Sequence, residues 1–171
     1  MFSGSFVYEI PLLRGKGWMD KAFGGWAISG LITKSTGLPV YVISGRDYSL
    51  TGVGFDRPNL VGNPTRSHSS TADFIQQYFN TSAFALPQVG QYGNLGRNTM
   101  VGPGSYNLDG SIFRGFRLRE RMSLQFRAEF FNSFNHANLA NPVSNIGAAT
   151  VGRILSASDP RILQFGLKLI Y

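Results

Sequence analysis

Apolar and polar residues alternate one for one over long stretches of this chain. A period of two belongs to β-strands, which send successive side chains to opposite faces. In 2–10, Phe2, Gly4, Phe6, Tyr8 and Ile10 share one face, and Ser3, Ser5, Val7 and Glu9 the other. In 122–130, Met122, Leu124, Phe126, Ala128 and Phe130 oppose Ser123, Gln125, Arg127 and Glu129. At the end, Leu163, Phe165, Leu167, Leu169 and Tyr171 oppose Ile162, Gln164, Gly166, Lys168 and Ile170. The pattern is weaker over 106–116, where Arg114 interrupts Tyr106, Leu108, Gly110, Ile112 and Phe116. Over 26–44 one phase persists: Trp26, Ile28, Gly30, Ile32, Leu38, Val40 and Val42 fall on one side. The predicted strands are therefore 2–10, 26–44 with a bend near Gly37-Leu38-Pro39, 105–117, 122–134 and 162–171. Segment 122–134 is rich in good helix formers. A helix, however, would scatter apolar residues spaced by two around its circumference.

The connections differ in length. Leu118–Glu120 reads as a tight turn, 11–25 is of medium length, and 135–160 is long and rich in Asn, Ala and Gly. Segment 45–104 is very long, with Gly, Asn, Pro and Ser throughout. Inside it, 72–78 is predicted to form a short helical turn and 79–84 a short extended piece. An irregular stretch of that length is normally functional.

Composition narrows the class. Of 171 residues, 43% are apolar and only 15% charged, with 14 Phe, 7 Tyr and 2 Trp. An average soluble domain is about a quarter charged. Low charge with many aromatics argues against disorder and makes a water-facing surface hard to build. Cysteine is absent, which excludes disulfides, thiolate metal sites and cysteine nucleophiles. No run approaches the roughly 18 apolar residues of a membrane helix. The start, Met1-Phe2-Ser3-Gly4-Ser5, is not a basic leader followed by an apolar block. Either the chain stays where it is made, or an export signal belongs to a preceding part of a longer product.

Few residues suggest chemistry. His68 and His136 are the only imidazoles. Ser133, His136 and Asp159 could be named as a triad, but nothing in the sequence constrains their geometry, so no enzyme and no cofactor are expected. Asp47, Asp56 and Asp73 carry oxygen ligands of the kind calcium takes. Their spacing matches no calcium loop, so turn and capping roles are expected and no metal. Net charge is +7. Its densest cluster, Arg114, Arg117, Arg119 and Arg121 around Glu120, reads as a solvated turn, and no nucleic-acid partner is expected.

Alternation alone leaves two architectures. In a soluble sandwich the apolar face points to a core. In a transmembrane barrel it points to lipid, and the polar face lines a wet lumen. Two features favour the barrel. Tyr8, Trp26, Tyr106 and Tyr171 stand near strand ends, as an interfacial girdle would. The opposite faces carry long polar groups, among them Glu9, Asp109, Gln125, Arg127, Glu129, Gln164 and Lys168. On this reading Phe6, Tyr8, Trp26, Ile28, Leu124, Phe126 and Phe130 face lipid, and Glu9, Asp109, Gln125, Arg127, Glu129 and Lys168 face the lumen.

Several motifs carry a resemblance. They are Gly25-Trp26-Ala27-Ile28-Ser29-Gly30-Leu31-Ile32 with Ser35-Thr36-Gly37-Leu38-Pro39-Val40; Gly45-Arg46-Asp47 with Asp56-Arg57-Pro58-Asn59-Leu60-Val61-Gly62; and Tyr78-Phe79-Asn80-Thr81-Ser82-Ala83-Phe84. Gly93-Asn94-Leu95-Gly96-Arg97-Asn98 and Gly102-Pro103-Gly104 follow. Arg127-Ala128-Glu129-Phe130-Phe131-Asn132-Ser133-Phe134-Asn135-His136 with Asn138, and Gly152-Arg153-Ile154 before Asp159-Pro160-Arg161-Ile162-Leu163-Gln164-Phe165, complete the series. In this order they resemble the C-terminal β-barrel portion of TonB-dependent outer-membrane receptors, nearest the Oar-like group, whose members carry a carboxypeptidase-regulatory-like domain.

The resemblance implies an all-β, antiparallel, up-and-down transmembrane segment in the outer membrane of a Gram-negative bacterium. It comprises five strands, or six with a turn at Thr36-Gly37. The function implied is uptake of bulky nutrients. The implied partners are outer-membrane lipid, the remainder of the barrel, a plug, TonB acting through that plug, and the barrel-assembly machinery. Residues 1–171 would form the C-terminal part of the barrel, with the C-terminus periplasmic and 45–104 a long, irregular extracellular loop. Leu163, Phe165, Leu167, Leu169 and Tyr171 resemble the C-terminal assembly signal. A passive porin-like or adhesin-like barrel segment and a soluble, secreted β-sandwich binding module are the alternatives. Five or six strands cannot close a barrel, and an open edge in lipid leaves backbone groups unpaired. The 171 residues alone are therefore not expected to form a stable membrane protein.

Overall fold

Each alternating stretch pairs with its neighbour in sequence, as antiparallel strands do. The computed structural model describes residues 1–11, 17–18 and 24–171. The strands are β1 (Phe2–Glu9), β2 (Trp26–Ser35), β3 (Asn59–Leu60), β4 (Phe84–Ala85), β5 (Ser105–Arg119), β6 (Met122–Phe131) and β7 (Ile162–Ile170). One helix, α1 (Thr71–Gln76), and one 3-10 turn, Thr81–Ala83, interrupt the second connection. Much of the predicted 11–25 connection lies outside the described residues. The chain divides into two compact units. One is Met1–Ser35 with Ser105–Asn138 and Asp159–Tyr171; the other is Thr36–Gly104 with Leu139–Ser158.

The first unit is an antiparallel sheet of five strands in the order β1-β2-β5-β6-β7. It is open, with β1 and β7 as its edges. Up to Arg117 of β5, the register carries both faces across without a slip. Phe6, Gly30, Gly110, Phe130 and Leu163 form one transverse row, and Val7, Ser29, Ser111, Glu129 and Gln164 the next. A one-residue slip in any pair would have exchanged the faces. The β5–β6 turn falls at Glu120-Arg121, later than the expected Leu118–Glu120, and the register shifts between Arg117 and Arg119. Both long connections leave the strand ends at Ser35, Ser105, Phe131 and Ile162, while the turn at Glu120 lies at the opposite end.

The structure corrects the long strand 26–44. β2 ends at Ser35, so among the described residues the sheet has no sixth strand, and the connection to β5 begins at Thr36. Val40 and Val42 are buried and Tyr41 exposed, so the alternation is real. It serves the core of the second unit, because an extended segment buries its apolar side against whatever core lies beside it. A Cβ at Gly37 would collide with the carbonyl oxygen of Gly102, so the residue here must be glycine.

That second unit is irregular in backbone and built around a core. Val40, Val42, Phe79, Ala83, Phe84, Leu95 and Met100 are buried together, with Leu60, Tyr78, Ile146 and Val151 packed against them. The chain crosses itself through Val40 N–H to Met100 O (3.0 Å), Tyr78 N–H to Gly152 O (2.7 Å) and Ile154 N–H to Ile75 O (2.9 Å). The helix forms where predicted: Ser70 Oγ caps it by accepting from Asp73 N–H. The extended piece at 79–84 is broken by the 3-10 turn, because Asn80 Oδ1 accepts from Ser82 N–H and tightens the chain.

Candidate functional site

The two faces of the five-stranded sheet differ in chemistry. On one, Phe6, Tyr8, Trp26, Ile28, Leu124, Phe126 and Phe130 stand with Leu163, Phe165, Leu167 and Leu169. Tyr8, Ile28, Ile112, Ala128 and Phe165 make one row; Trp26, Arg114, Phe126 and Leu167 make the next. Trp26 and Phe126 meet edge-on with ring centroids 6.0 Å apart. Phe6, Tyr8, Phe165 and Leu167 are all more than half exposed to the surroundings, Leu167 by 71%. A continuous apolar surface of this extent marks an interaction face.

On the other face, Glu9, Asp109, Gln125, Arg127, Glu129 and Lys168 stand with serines. Ser29 and Ser111 hydroxyls hydrogen-bond at 2.7 Å, as do Ser35 and Ser105. Arg127 Nη1 approaches Glu129 Oε1 at 3.3 Å, and its guanidinium lies 5.8 Å from the Phe113 ring centre. Asp109 Oδ1 accepts from Asn107 Nδ2 at 2.8 Å and from Asn132 N–H at 2.9 Å.

Arg114 corrects the picture of a solvated arginine turn. It belongs to the apolar face, is buried, and holds its guanidinium 4.2 Å from the Phe116 ring centre and 5.7 Å from that of Trp26. Cation–π attraction compensates part of the cost of placing a charge there. Arg117, Arg119 and Arg121 are exposed around the turn, as expected.

The sequence reading did not foresee the asparagine cluster beyond β6. Asn132, buried and with φ 49°, accepts from His136 N–H through Oδ1 and donates through Nδ2 to His136 O and Asp159 O. Asn135, with φ 53°, accepts from Arg161 N–H, and Asn138 accepts from Tyr106 N–H. Asparagine tolerates the left-handed region and satisfies neighbouring backbone at once. The signal was three asparagines spaced by three directly after a strand. Tyr106 stacks on Phe134 beside it, centroids 6.1 Å apart.

The triad residues serve this local structure. Ser133 donates its hydroxyl to Phe130 O, while backbone N–H and O of His136 and backbone O of Asp159 bind Asn132. In the second unit, Asp47 and Asp56 share Ser49, whose Oγ lies 3.2 Å from Asp47 Oδ1 and 3.0 Å from Asp56 Oδ1. Asp47 also accepts from Thr51 and Gly52 N–H, and the Gly52 bond above all holds its carboxyl below the usual range. Asp73 is lowered chiefly by the Ser69 N–H, with the Arg66 guanidinium 2.6 Å away helping. Among the described residues no three metal-ligating side chains gather.

A family model described as "Outer membrane beta barrel domain" matches residues 1–164. No curated protein and no solved structure matches the chain.

Proposed function

The chain belongs to the outer membrane beta barrel domain family, and from that premise we propose that it is the C-terminal barrel portion of a TonB-dependent transporter for bulky nutrients. The carrying observation is the register. It lays one apolar, aromatic face and one polar face across five strands, with both long connections at one end of the sheet. An outer-membrane barrel uses such a sheet with the apolar face in lipid and the polar face around a wet lumen. Leu124, Phe126 and Leu167 then touch lipid, and Gln125, Arg127, Glu129 and Lys168 touch water. Long connections lie outside the cell in such barrels, which puts the C-terminus in the periplasm.

The finer reading rests on the ordered motifs shared with Oar-like receptors. It supplies what this sheet lacks: further strands to satisfy the edges of β1 and β7, and a plug through which TonB acts. The barrel-assembly machinery would receive β7 first.

The test is electrical. The full-length product containing this chain is reconstituted into a planar bilayer. A plugged transporter should carry no steady current; a steady ohmic conductance would favour a porin-like barrel.

A further inference from the structure

The polar face carries a notch on β6 and β7. The pairing sets Gln125 opposite Lys168, Arg127 opposite Gly166 and Glu129 opposite Gln164. These side chains border an open cleft of about 310 Å³. At its centre Gly166 contributes no side chain, and a Cβ there would meet nothing within 4 Å. The neighbours on the same face of β7, Gln164 and Lys168, stand about 7 Å to either side.

Donors dominate this notch. Arginine brings five N–H groups, lysine three, and each glutamine two. Arg127 places Nη1 on Glu129, with 49% of its side chain exposed. An exposed pair of this kind is weak and exchangeable. Beyond that bond, no side-chain hydrogen bond within the described residues engages Arg127, Gln125, Gln164 or Lys168. The guanidinium lies 5.8 Å from the Phe113 ring centre and 3.3 Å from the Glu129 carboxylate. A planar fork beside an empty position suits a bidentate oxyanion. Lys168, one row along, adds a second positive charge, and the two amides can bind hydroxyls next to the anion.

We propose that this notch is a subsite for an anionic group, carboxylate or phosphate, on the solute that passes through the barrel. The proposal rests on the polar face lining the lumen. Glu129 has a part in it: by holding one arm of Arg127 it repels a second anionic group on the side toward Gln164.

The full-length product in liposomes tests this through the chemistry of Lys168. Acetylation of Lys168 stops trypsin there and leaves Lys168 inside the peptide that begins at Ile162, so mass spectrometry reads its rate directly. The probes are succinate and inorganic phosphate, each compared with sodium chloride at equal ionic strength. One or both should slow acetylation several-fold, and which one does so distinguishes carboxylate from phosphate. Arg127→Gln should abolish the protection. Gly166→Val, whose Cβ would enter the notch with nothing within 4 Å, should blunt it. A reactive Lys168 that neither anion protects would overturn the proposal and leave the lumen reading standing. A Lys168 shielded by lipid and inert to the reagent would overturn both. Protection unchanged in both variants would also refute the subsite.

Discussion

The ring of Phe6 covers Gly30 across the β1–β2 pair: a Cβ on Gly30 would lie 2.5 Å from its Cε1 and 2.8 Å from its Cζ. The glycine is a seat for the aromatic ring on the apolar face. Gly30→Val should therefore push the half-exposed Phe6 ring aside, at a cost of about 1 kcal/mol. At Gly4 the nearest atoms, Phe2 Cζ and Ile32 Cγ2, are 3.4 and 3.5 Å away, which is ordinary contact. Gly4→Ala should be tolerated. Urea titration of the full-length product refolded in liposomes compares them, and equal losses would show that the ring does not sit over Gly30.

A second comparison sets adjacent residues on opposite faces. Leu124 lies in the apolar row with Phe116 and Leu169, and Gln125 in the polar row with Gly115 and Lys168. An Arg at Leu124 should cost ~2–4 kcal/mol if it meets the bilayer interior. An Arg at Gln125 should cost little. The same urea titration gives both values, and equal destabilisation would sink the assignment of faces.

How much of this was legible beforehand follows from what period two measures. Alternation reports that one side of an extended segment is buried, and it located the five paired strands. It does not report against what. Leu38, Val40 and Val42 kept the phase of Trp26 and Ile28, yet Val40 and Val42 pack with Phe79 and Leu95 in the second unit. The break falls just after Ser35, where Gly37 lies against the Gly102 carbonyl, an approach visible only in the folded chain. Arg114 was misread because a run of arginines looks solvated, whereas its parity with Ile112 and Phe116 had already placed it on the apolar face. Beyond Val40 and Val42, the core of 36–104 was invisible because its apolar residues come singly from many turns and have no period.

The asparagine cluster yields a third prediction. Asn132→Ala should cost roughly 1–3 kcal/mol for the stranded partners at His136 and Asp159, with more for a non-glycine residue at φ 49°. Asn132→Gly relieves only the backbone part and should stay well below the parent in stability. If glycine restores it fully, the side-chain bonds contribute nothing. Thermal unfolding of both variants decides.

Acid should loosen the loop around Asp47. Its carboxyl is held below 3.8, first by the Gly52 N–H, with help from Thr51 and Ser49. A group whose pKa is lowered by folding stabilises the fold above its unfolded value and loses that contribution as pH falls through the folded one. Amide exchange at Thr51 and Gly52 should thus be slow at neutral pH and show an added acid-dependent opening below 3.8. Asp47→Asn should open the same amides at neutral pH and flatten the pH response. A pH response that persists in the variant would assign it elsewhere.

On the proposed reading, β7 connects the sheet to assembly. Phe165, Leu167 and Leu169 share the apolar face of β7, whose residues are all exposed along an edge with no further strand. Such an edge is adhesive, because its backbone groups await partners and its apolar row favours any neighbour. On that reading it must be captured during assembly before it aggregates, and the aromatic Tyr171 can anchor in the interfacial region while pairing begins. Changing Phe165 and Tyr171 to Ser should leave the β6–β7 pairing possible while weakening that capture. The full-length product should then accumulate in the periplasm and be degraded, which fractionation of cells followed by immunoblotting will show. Replacing Gln164 and Lys168, on the opposite face of the same strand, by Ser should leave delivery intact. Equal loss from both double variants would mean that β7 acts only through its stability, and that its apolar face carries no assembly signal.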